Sequence, residues 1–148
     1  MTLLELVFVI VLIAILAKTG SEMLKVRHLR DDAAYVAMKI DEARFAGIGF
    51  DHRGFDGGET GGDEGCVTLS AEGLEENATA GRAAYRLHVT LSGDLAGKTL
   101  CFDRLGRPHD DGSHVSEPLG ETKSLILQEG ADQREIKVLP QSGYVIIR

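Results

Sequence analysis

One carboxylate stands inside an otherwise apolar run. Between Leu3 and Ala17 the only residue that is not apolar is Glu5. A lone charge in hydrocarbon costs several kcal/mol, so Glu5 needs a cationic partner wherever that stretch is buried. Cys66 and Cys101 are the two cysteines of the chain. Two thiolates do not complete a zinc site, and no histidine stands at ligand spacing from either in the sequence. Asp51, Asp56, Glu59, Asp63 and Glu64 alternate with glycines, and such closely spaced oxygen donors suit a hard cation such as Ca²⁺. Their order does not follow the EF-hand pattern, and a solvated acidic loop accounts for the same residues. Asp110, Asp111 and His114 fall in one polar stretch where turn chemistry explains them. The histidines, His28, His52, His88, His109 and His114, are scattered. No Ser elbow or Gly-rich phosphate loop precedes a helix. These residues form no catalytic constellation, so neither an enzyme activity nor a cofactor is expected.

The element that must place Glu5 is a helix. As α-helix the run from Leu3 to Ala17 covers roughly 22 Å, short of the ~30 Å hydrocarbon core of a bilayer. The stem of Lys18 can extend it by reaching to the headgroups. A secretory signal is a poor description, because no Lys or Arg precedes the run and a cut after Ala17 would leave Ile15 at −3. An all-round apolar rod also finds nothing in the acidic remainder that could wrap it as a core helix. Beyond the rod, Lys18-Thr19-Gly20-Ser21 lowers helix propensity, Gly20 by roughly 1 kcal/mol relative to Ala.

Met1, Thr2, Glu5 and the aliphatic run Leu6–Ala17 together resemble the mature N-terminus of type IV pilins and type II secretion pseudopilins. The resemblance is specific over the first 25 or so residues. It implies removal of a leader by prepilin peptidase and N-methylation of Met1. It also implies assembly into a helical filament through Met1, Thr2, Glu5 and Phe8. Many members carry a helix-breaking Pro shortly after the run; Lys18, Thr19, Gly20 and Ser21 stand there instead and are the expected site of helix melting in the filament. Export past the inner membrane implies an oxidising compartment, hence a Cys66–Cys101 disulfide. Closing a loop of that length stabilises by roughly 3–4 kcal/mol in the chain-entropy model.

The division expected is residues 1–25 as transmembrane and filament-core helix and residues 26–148 as a globular head. Val26, Leu29, Ala33, Val36, Ala37, Ile40, Ala43 and Gly47 recur at spacings of three and four, an apolar stripe that continues the helix to about Gly47. Asp32, Lys39 and Arg44 take the other faces, while Tyr35, Met38 and Phe45 form a narrower second strip. Residues 51–65 hold six glycines and a net charge of −4, which forbids regular structure. Thereafter the period becomes two. Strands are expected at Cys66–Ser70, along Tyr85, Leu87, Val89 and Leu91 with His88 facing solvent, and at Thr99–Asp103. A closing meander follows over Ser124–Gln128, Glu135–Leu139 and Tyr144–Arg148. This order is similar to the globular half of the minor pseudopilin H group. The fold class expected is therefore α+β, a long helix whose hydrophobic half protrudes and whose amphipathic half packs on antiparallel sheet.

A net charge of −7 argues against nucleic acid as a partner. Arg82, Arg86, Arg104 and Arg107 are the best basic candidates, and Asp94, Asp103, Asp110 and Asp111 stand near them. The function expected is that of a pilin in an extracellular type IV pilus-like filament. A minor pseudopilin of a type II secretion system and a DNA-uptake minor pilin are the alternatives. The partners implied are identical subunits, the inner-membrane assembly platform and prepilin peptidase. The chain would span the inner membrane once before assembly and stand on the cell surface afterwards.

Overall fold

A computed structural model describes residues 3–48, 65–78, 83–114 and 116–148. Met1, Thr2 and the candidate calcium ligands Asp51, Asp56, Glu59, Asp63 and Glu64 lie outside the described residues, as do Arg82 and the side chain of Val26. The fold is α+β. Helix α1 runs from Leu3 to Gly47 without a break. Strand β1 (Cys66–Thr68), a one-turn helix α2 (Ala71–Leu74), β2 (Thr90–Ser92), β3 (Thr99–Phe102), β4 (Pro108–His109), β5 (Lys123–Glu129), β6 (Asp132–Val138) and β7 (Val145–Ile147) follow.

Among the described residues the strands make two antiparallel sheets, ordered β1-β3-β4 and β2-β5-β6-β7. The expected meander is the spine of the second, with Leu125 opposite Ile136 and Ile136 opposite Ile147. Glu129 faces Asp132 across a two-residue turn whose first residue, Gly130, has φ 64°. That conformation favours glycine and matches the right-handed twist of the hairpin.

The C-terminal half of α1 lies against both sheets. Its stripe of Leu29, Ala33, Val36, Ile40 and Ala43 is buried with Leu69, Leu100 and Phe102 from one side and Leu125, Leu127, Ile136 and Val138 from the other. Spacing of three and four puts these side chains on one helix face, and strand alternation supplies the opposing layer. The helix approaches β3 closely at its end, where a Cβ on Gly47 would stand 2.4 Å from the carbonyl oxygen of Phe102.

Two expectations fail on the helix's polar side. Asp32, read as a wet-face residue, is 1% exposed, because its carboxylate accepts from Tyr85 Oη at 2.6 Å and from the His88 amide at 2.7 Å. Arg44 is likewise buried: its Nε donates to the Ser142 carbonyl at 2.8 Å and its guanidinium sits 4.2 Å from the centre of the Tyr144 ring. The Asp32 bond also explains why the alternating stretch from Tyr85 is not a continuous strand. The His88 amide is spent on a side chain, so Tyr85 keeps only an isolated bridge to Glu76 and pairing starts at Thr90.

Candidate functional site

The first half of α1 exposes apolar side chains on every face. From Leu6 to Ile13, eight consecutive residues, none is less than 40% exposed, and Phe8 reaches 62%. A helix with one buried stripe would alternate, so among the described residues none covers the rod. Glu5 is exposed at its start. No helix among the described residues is long and apolar enough to cross a membrane.

At the expected melting segment α1 stays helical in the single chain. Unwinding there is expected of a filament. Its chemistry is nevertheless visible: Thr19 Oγ1 donates to the carbonyls of Ile15 and Leu16 at 3.2 and 3.1 Å, and Ser21 Oγ donates to that of Lys18 at 2.8 Å. Hydroxyls so placed can hold carbonyls whose amide partners move away. Nothing lies within 4 Å of a Cβ built on Gly20.

Cys66 and Cys101 form a disulfide across directly opposed positions of β1 and β3. His114, distant in sequence, lies on it, with Nε2 3.2 Å from Cys66 Sγ. These three donor atoms fall within 4.8 Å of one another, a proximity that inspection of sequence spacing missed. Strand pairing created it, and no local motif announces it.

Several polar clusters among the described residues complete the head. Asp110 accepts from Lys98 and, at 2.7 Å, from Lys123. The hydrogen bonds from Lys123 and Lys98 hold its carboxyl down at about 2. Asp111 accepts from the Ser113 amide and from Ser116 Oγ, which is turn chemistry as expected. Asp103 accepts from the amides of Leu105 and Arg107 and from Arg107 Nε at 2.7 Å. Burial pushes its carboxyl up, but these bonds outweigh it and the net shift is downward. Arg107 is thereby committed to an ion pair.

One grouping has the residue types of a hydrolytic triad. His109 Nδ1 is 3.2 Å from Ser116 Oγ, and its Nε2 is 3.7 Å from Asp103 Oδ2. Yet Ser116 donates its single proton to Asp111 Oδ1 at 2.8 Å, so its oxygen accepts from His109. A nucleophile needs the opposite direction. His109 is also 1% exposed, which closes the base to substrate.

The last cluster joins α1 to the β2–β5 edge. His28 and His88 stack with ring centres 4.6 Å apart, and Tyr35 and Tyr85 stack at 3.8 Å. His88 Nδ1 is 3.5 Å from buried Asp32, and His28 Nδ1 is 3.9 Å from Glu129. Burial, then the bond to Asp32, pushes the Tyr85 hydroxyl well above its ordinary range, so it serves as a permanent donor. His88 is half exposed, in line with the solvent face expected of it.

The chain matches no protein-family model, no curated protein and no solved structure. Function has to be read from these surfaces themselves. Among the described residues the polar clusters are mostly paired within themselves, His109 Nε2 and Glu129 Oε2 being buried without a hydrogen-bond partner. The large unpaid term is the rod.

Proposed function

We propose that the chain is a structural subunit that polymerises through its N-terminal apolar helix into a type IV pilus-like filament. The observation carrying this reading is the run of eight consecutive apolar residues, Leu6 to Ile13, exposed on all faces of a helix whose other half is buried in a head. Burying such a rod among copies of itself removes hundreds of Å² of apolar surface from water, at about 25 cal/mol per Å². A rod on one end and a head on the other make different patches meet, so the contact is heterologous and grows a helix instead of closing a dimer.

The run is shorter than a bilayer core, so its stay in the inner membrane before assembly relies on Lys18 reaching to the headgroups or on local thinning. A rod that fits a membrane imperfectly leaves it at lower cost. The pilin-like N-terminus, Met1, Thr2, Glu5 and Leu6–Ala17, supports the same reading, with N-methylation at Met1 and the head outside the inner membrane.

Within the filament, the carboxylate of Glu5 pairs with the terminal amine of Met1 on a neighbouring copy. Each charge then offsets the other's desolvation, and the pairing fixes the axial stagger of the rods. Glu5→Ala is therefore expected to fold and reach the membrane normally while fibre yield falls by at least tenfold. Fibre yield equal to that of the unmodified chain, scored by shearing and electron microscopy, would sink the pairing.

A further inference from the structure

The contact between His114 and the disulfide lies in the head, outside the N-terminal run that carries the proposed polymerisation. His114 Nδ1 lies 3.1 Å from the carbonyl oxygen of Phe102. A carbonyl can only accept, so Nδ1 carries a proton, and in the neutral form of the ring the lone pair is on Nε2. That lone pair is aimed at Cys66 Sγ, 3.2 Å away. The two sulfurs differ in access: Cys101 is 0% exposed, whereas Cys66 is half-buried. Their Cα atoms are 4.0 Å apart on paired strands, so the backbone keeps the thiols opposed when the bond is open.

We propose that Cys66 is the reactive sulfur of a thiol–disulfide exchange site, with His114 as its base and a small or protein disulfide as its co-reactant. In the reduced chain Cys66 gives its thiol proton to His114 Nε2, and a thiolate stands beside an imidazolium. The thiolate attacks one sulfur of the external disulfide. The external S–S bond breaks, one external thiolate leaves and takes the proton from His114, and Cys66 carries the mixed disulfide. Cys101, its proton released to water, then attacks Cys66 Sγ. The second external thiolate leaves and takes up a proton. Two protein thiols are thereby oxidised by two electrons and one external disulfide is reduced to two thiols. Reduction runs the same path backwards and enters at Cys66, because Cys101 is covered.

Other charges facing this corner do not replace the imidazole. Lys39 and Glu42 of α1 and Glu76 after α2 line the hollow beside Cys66. Lys39 is engaged by both carboxylates, at 2.9 Å in the case of Glu42. His114 is the ring in contact with the sulfur.

The test uses the full chain in detergent with Cys101→Ser, so that Cys66 is the lone thiol. Iodoacetamide labelling is followed by mass spectrometry as a function of pH. The expected half-maximal rate lies a full pH unit or more below the ordinary thiol value of about 8.5. Adding His114→Gln is expected to slow labelling at pH 7 by about threefold to tenfold, with circular dichroism confirming that the head is intact. With the resolving thiol removed in the Cys101→Ser chain, oxidised glutathione should be trapped as the mixed disulfide on Cys66, whereas Cys101 in a Cys66→Ser chain should react more slowly by about tenfold or more. A midpoint at or above about 8.5 in the Cys101→Ser chain overturns the proposal whatever the His114 variant does. Glutathione taken up by Cys101 in the Cys66→Ser chain as fast as by Cys66 in the Cys101→Ser chain overturns it equally.

Discussion

Among the described residues Asp110 is the carboxylate whose surroundings most lower its pKa, and the alteration sets a pH response. Lys123 and Lys98 hold its carboxyl at about 2 against an ordinary 3.8. A depressed folded value means stability present above the unfolded value and lost as pH falls from about 4 towards 2. Both lysines keep some solvent, Lys98 with 41% of its side chain exposed, so the contribution is on the order of 1–2 kcal/mol. Asp103 and Asp111 are lowered too and lose stability in the same direction. Thermal unfolding of the full chain in detergent should therefore show a midpoint that drops between pH 4 and pH 2. Asp110→Asn should flatten part of that drop; an unchanged slope in the variant would show that the two lysines do not govern it. The value of Asp110 was invisible in the sequence. Lys98 and Lys123 stand 12 and 13 residues away on either side, and only the fold brings them to one oxygen.

At the scale of the element, α1 is one helix with two environments. Its C-terminal half is stabilised by the core, while its N-terminal half has only its own hydrogen bonds and whatever covers it from outside. Gly20 stands near the boundary, where each melted residue lengthens the chain from about 1.5 to 3.3 Å per residue. A packed bundle of rods can use that slack, and the hydroxyls of Thr19 and Ser21 already bond local carbonyls. Non-helical backbone is expected in the filament somewhere between Ala14 and Glu22, beside Gly20. A filament map with unbroken helical hydrogen bonds across that span would contradict it. The period of the apolar stripe in α1 was legible from Leu29 down to the end at Gly47. The burial of Asp32 and Arg44 was not, because a charged residue is placed by partners on other elements and periodicity carries no record of them.

At the scale of the molecule, two sheets share one core through one helix. Ile40 is 0% exposed in that core, and the stripe around it touches residues of both sheets. Ile40→Ala is expected to cost about 2–5 kcal/mol. Its effect should reach both sheets equally, so amide exchange in β1–β3 and in β5–β6 should accelerate together. Faster exchange confined to one sheet would mean that the head has two separable cores.

The sequence by itself determined what depends on neighbours along the chain. Periodicity is local, so it gave the long helix, the buried face from Leu29 to Gly47, the closing meander and its Gly130 turn. The apolar rod was equally plain, since a dozen consecutive apolar residues admit no wet face. The tertiary structure alone decided what depends on pairing between distant segments. It split the strands into two sheets and took the His88 amide out of the strand pattern to satisfy Asp32. It also carried His114 onto the sulfur of Cys66, 48 residues from it in the chain. Those outcomes turn on which donors meet which acceptors after collapse, and on buried polar groups having to find partners.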